Sequence, residues 1–154
     1  QVGLPPEQHA WLYLATLCGA LPGVAMLVRR RQALDDPRPL LALSVLLTVL
    51  GLVTALWASS LLVLGVGLVL FFVGFTALET ILPALVSIVA PTSLRGTAMG
   101  VFSSAQFLGV FTGGALGGNA LHVGGAVGLV AVLSMLTGIW LAGLWRYGRA
   151  PMVA

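Results

Sequence analysis

The chain has 154 residues, 59% of them hydrophobic and only 7% charged, with a mean hydropathy of +1.10. A soluble domain carries about a quarter charged residues, so this composition excludes a water-solvated globule, a disordered tail and a secreted disulfide scaffold. The net charge of +3 comes from seven arginines without a lysine, and the single cysteine, Cys18, has no second thiol in the chain to pair with.

The first uncharged run is 10–28, closed by Arg29, Arg30 and Arg31. Its length suits one membrane-spanning helix, which needs roughly 20 apolar residues for a hydrocarbon core of about 30 Å. The basic residues follow the run instead of preceding it, which argues against a cleaved signal peptide. Pro22, between Gly19 and Gly23, is expected to kink this helix. Uncharged sequence resumes at Pro39 and continues to Leu78. One helix of that length would measure roughly 60 Å, so it must fold back. Trp57-Ala58-Ser59-Ser60 is the natural break, giving helices over 39–57 and 61–82. From Gly96 to Trp145 the chain is again uncharged and again too long. Its Gly117–His122 segment, rich in glycine and carrying Asn119, predicts the hairpin, with helices over 96–117 and 122–145.

The expectation is an all-α integral membrane protein: one transmembrane domain over 1–154, with five helices and termini on opposite faces. Arg29, Arg30, Arg31 and Arg38 fall in the first loop, Arg95 in the third, and Arg146 and Arg149 in the C-terminal tail. Five spans put all of them on one side, which the positive-inside rule makes cytoplasmic. The N-terminus is then outside and the C-terminus inside. The basic balance reports topology, so no nucleic-acid partner is expected; the partner is the lipid bilayer.

Glu79 is the one acidic residue within an apolar span. A carboxylate in a membrane is costly and marks a functional position by default. It would lie about 27 Å along its helix, near the cytoplasmic boundary. Pro83, four residues on, has no N–H to give to the carbonyl of Glu79. Two readings stay open. Glu79 could carry a proton, or it could latch the cytoplasmic side by pairing with Arg95 or with the start of the following helix; its shallow depth favours the latch. Gln106, the largest polar group in its span, must face protein or water; with Ser103 and Ser104 it is a candidate for a cavity wall, an interhelical hydrogen bond being the commoner use of such a group. Gly109, Gly113 and Gly117 recur every four residues, the small-residue spacing that lets membrane helices approach closely. No Walker, HExxH or nucleophile-elbow motif and no His/Cys cluster is found. Neither cofactor, metal site nor enzymatic activity is therefore expected.

The run Glu79-Thr80-Ile81-Leu82-Pro83-Ala84-Leu85-Val86-Ser87, then Ala90-Pro91, then Arg95 to Gly109 resembles the C-terminal half of bacterial major facilitator superfamily transporters, and most nearly their YajR-like drug:proton antiporter branch. The resemblance implies helices eight to twelve of that fold, a partial C-terminal six-helix bundle. It implies alternating access to a central cavity in the bacterial inner membrane, efflux of a small-molecule substrate coupled to protons, and a cytoplasmic gate at the Glu79 position. It also implies a partner, the N-terminal half of the transporter, so the chain is expected to be a fragment or a truncated gene product. The alternative is a standalone membrane protein that self-associates through its glycines in a structural or regulatory role.

Overall fold

The computed structural model describes residues 6–32 and 36–148. Residues 1–5 and Arg149, on which the expected orientation partly rests, lie outside them, as does the side chain of Arg31. The described residues are helical with short connections and contain no strand. In chain order they form α1 (Pro6–Gln32), α2 (Arg38–Leu56), α3 (Leu61–Val89), a single 3-10 turn (Thr92–Leu94) and α4 (Arg95–Tyr147). All four α-helices are long and apolar enough to cross a membrane. Together with the polar backbone groups satisfied inside each helix, this makes the chain a multi-pass membrane protein.

The break between α2 and α3 falls where the sequence placed it. Trp57 ends α2, and its N–H still bonds back to the carbonyl of Val53 at 3.4 Å. Ser60 opens α3: its hydroxyl accepts the N–H of Val63 at 3.3 Å, meeting one of the donors that a helix start leaves without a partner. At the other end of α2 the carboxylate of Asp36 accepts the N–H of Arg38 at 3.0 Å. Pro37 and Pro39 flank that start, where a missing N–H costs nothing.

Three expectations are corrected. α3 does not stop at 82 but runs to Val89, and both prolines, Pro22 and Pro83, lie inside their helices. Each forfeits one backbone bond inside an otherwise unbroken apolar helix, a loss that neighbouring turns tolerate in a membrane. α1 also extends past Arg29 and Arg30, whose positive charges suit a helix C-terminus.

The third correction concerns the last hairpin. Gly117–His122 is helical throughout, Asn119 included, and the non-helical residue is Gly125, at φ 60° and ψ −155°. That conformation is essentially closed to residues with a Cβ. The chain reverses there. The carbonyl oxygen of Ala120 lies 2.6 Å from where a Cβ on Gly128 would sit, and the Leu129 Cδ1 lies 3.5 Å from the same position on Gly117. A straight helix would hold those pairs about 12 and 18 Å apart.

The chain divides into two compact units, Gln1–Glu79 and Thr80–Ala154, so the boundary falls within α3. The first unit holds α1, α2 and the first part of α3. Its packed residues include Ala20, Leu27, Leu40, Leu41, Ser44 and Ala77. The second contains the end of α3, the 3-10 turn and the two arms of α4.

Candidate functional site

The expected gate residues lie on α3 and at the start of α4. Glu79 and Pro83 are four residues apart on α3, hence on one face of it. Glu79 is exposed and Pro83 half-buried. At 100° per residue Glu79 points roughly 140° away from Gly74, so it is turned from the side of α3 that meets α2. Arg95 is the first residue of α4 and is exposed.

The cavity candidates separate. Ser103 and Gln106 stand three residues apart on α4, share a face and are both half-buried. Ser104 is exposed, and lies about 160° from Gln106 around the helix. Gly113 and Gly117 fall on the Ser103–Gln106 side, within an arc of about 80°. The polar pair and the small residues are thus one continuous face of α4. Within their own unit Gly109 and Gly113 have no atom within 4 Å of a Cβ position, and Gly117 meets only Leu129 at 3.5 Å. The close helix contact expected of Gly109 and Gly113 is not made inside that unit.

A close helix contact is made by other glycines, which the sequence reading passed over. A Cβ on Gly51 of α2 would run into the backbone N of Phe71 and sit 2.6 Å from the carbonyl oxygen of Gly67 on α3. One on Gly67 would lie 2.8 Å from the backbone N of Ala55 and 2.9 Å from the carbonyl oxygen of Gly51. One on Gly74 would meet the carbonyl oxygen of Ser44, and the Thr48 Oγ1 at 2.5 Å. The signal was present: Gly67 and Gly74 are seven residues, two turns, apart. Thr48 and Thr54 donate to their own helix, to the carbonyls of Ser44 at 2.9 Å and Leu50 at 2.8 Å.

Two further features complete the first unit. Arg38 grips Asp36, with Nε 3.0 Å from both carboxylate oxygens and a terminal nitrogen 2.7 Å from Oδ2. One of the arginines used for orientation therefore has its charge answered locally. A cleft of about 350 Å³ opens between α1 and α3, lined by Ala15, Thr16, Leu62, Gly65, Val66 and Val69 among others. Its wall is apolar, because the Thr16 hydroxyl is turned to the carbonyl of Leu12 at 2.8 Å. Among the described residues no group of three His, Cys, Asp or Glu could hold a metal ion.

The chain is 37% identical to the inner membrane transport protein YajR of Escherichia coli over 160 aligned positions, which cover 99% of this chain and 34% of that protein. It is 48% identical to an uncharacterized transporter of Buchnera aphidicola over 52 residues, 34% of this chain and 13% of the relative. It therefore spans about a third of the length of the first of these. The resemblance to YajR-like transporters holds along nearly the whole chain, and both relatives carry the name of a transport protein, not an enzyme. No family profile and no solved structure matches it.

Proposed function

We propose that this chain, related along nearly its full length to one third of an inner membrane transport protein, forms the last five spans of a secondary transporter of the major facilitator superfamily. The observation that carries the reading is that relationship: 37% identity over 99% of the chain. In this reading α1, α2, α3 and the two arms of α4 on either side of Gly125 make five crossings. The N-terminus is then outside and the arginine-bearing loops are cytoplasmic.

In this reading the protein works by alternating access with the N-terminal half of the transporter as its partner. It exports small organic molecules in exchange for protons. Glu79 sits where Pro83 leaves its carbonyl without the usual helix bond, so the backbone there yields more easily than elsewhere in α3. Glu79 and Arg95 are each assigned a part in cytoplasmic gating. Ser103 and Gln106 offer hydrogen bonds to substrate from the α4 face they share, and the glycines farther along that face let the opposite half approach. Ser104, on the other side of α4, has a lesser part.

The test is an efflux assay on the full-length transporter with Glu79→Gln. Glutamine keeps the shape of the side chain and cannot ionise. Export should fall at least about tenfold. Parental rates would remove Glu79 from both gate and proton path. Lack of export by the parent protein would remove the transport reading itself.

A further inference from the structure

The backbones of α2 and α3 meet directly, and this has a mechanical consequence. We infer that α2 and residues 61–79 of α3 are locked in one register and move as a single body through any conformational change the chain undergoes. The inference concerns packing within the first unit and does not depend on the transport reading.

The contact has three points. Gly51 faces the Gly67 carbonyl and the Phe71 backbone, Gly67 faces Gly51 and Ala55, and Gly74 faces Ser44 and Thr48. What each glycine meets includes main-chain N or O, which cannot rotate aside. Three of the groups are acceptors, the carbonyls of Gly67, Gly51 and Ser44, set against Gly51, Gly67 and Gly74. A glycine Cα–H at such an approach makes the weak C–H···O contact common between close helices. Ser44 is fully buried, and its hydroxyl bonds to the Leu40 carbonyl at 2.9 Å, so it holds its own helix in shape at the crossing.

The lock follows from what a slide would bring in. Packed helices shift by about one turn, since intermediate positions set ridge against ridge. A shift of three or four residues in one direction carries Leu70 or Phe71 into the place of Gly67; in the other it carries Leu64 or Val63 there. The place of Gly74 receives Ala77 or Leu78, or else Phe71 or Leu70. Every one-turn slide therefore drives a branched or aromatic side chain into a space where even a methyl group does not fit. The α1–α3 contact differs. Gly23 faces the methyls of Val73 at 2.8 and 3.2 Å, and Gly19 faces a methyl of Val69 at 3.7 Å. Those partners are side-chain methyls and not main chain.

Two measurements on the chain in lipid nanodiscs test this. Spin labels at L46C and F75C, in a C18S background, report the α2–α3 register from positions that are 49% and 44% exposed in the parent. One narrow distance distribution, unchanged between acidic and alkaline pH, is expected. A second population displaced by about 5 Å, one turn, would overturn the inference. The composition-neutral exchange G67F with F71G moves one glycine by a turn and should lower the melting midpoint by on the order of 10 °C. Gly65→Ala, at a glycine with nothing within 4 Å of its Cβ position, should leave the midpoint within about 2 °C. If the exchange melted like Gly65→Ala, the register would not be held by these glycines.

Discussion

Two glycine-bearing regions of this chain use the same residue differently. In the α2–α3 pair, Gly51, Gly67 and Gly74 stand among residues with bulky side chains, and each one is filled by the backbone of the opposite helix. In α4, glycines are dense, yet Gly96, Gly100, Gly109, Gly113, Gly114 and Gly118 meet nothing within 4 Å inside their unit. Frequency and tight packing run opposite ways. A glycine is worth its entropic cost in a helix only where something occupies the space it leaves. A face of glycines without such an occupant is suited to a contact made with another body, which is where the transport reading places it.

The sharpest way to break this comparison is to put leucine at one glycine of each kind. Gly51→Leu should cost the chain at least about 3 kcal/mol, because backbone cannot repack around it. Gly113→Leu should change the stability of the isolated chain by no more than about 0.5 kcal/mol. Melting in detergent reads both, and equal losses would erase the distinction. On the transport reading, Gly113→Leu should acquire in the full-length protein a cost absent from the chain alone.

Gly125 is a third kind, kept for its conformation and not for space, since nothing lies within 4 Å of its Cβ position. Gly125→Ala should therefore lose about 1–3 kcal/mol through backbone strain, measured by the same melt. A neutral result would mean that the reversal of α4 does not need φ 60° at that residue.

The smallest effect is expected at the α2 start. Asp36→Ala removes the ion pair with Arg38 and the bond to the Arg38 N–H. The Asp36 side chain is 42% exposed, so the loss should be the smallest of these, and salt should reduce it. A larger, salt-independent loss would show that Asp36 holds the loop as well as the helix end.

Much of this protein was legible in its residues. Charge-free runs of spanning length, the Trp57–Ser60 break and the placement of seven arginines determined a multi-pass helical membrane protein, because lipid admits few other solutions for so apolar a chain. The run from Glu79 to Gly109 determined its relationship to transport proteins. The residues proposed for the gate and cavity stood out as types, since a carboxylate or an amide in an apolar span contrasts with its neighbours.

Three things were decided only in three dimensions. The turn of α4 moved from the Gly117–His122 cluster to Gly125, because turn-forming composition marks a region whereas a positive φ belongs to one residue. The separation of Ser104 from Ser103 and Gln106 came from helical rotation, which adjacency in sequence conceals. The close contact between α2 and α3 was made by Gly51, Gly67 and Gly74, which the sequence reading had not singled out. Spacing tells which residues share a face, but what covers that face belongs to the helix opposite, and that is a property of the packed fold.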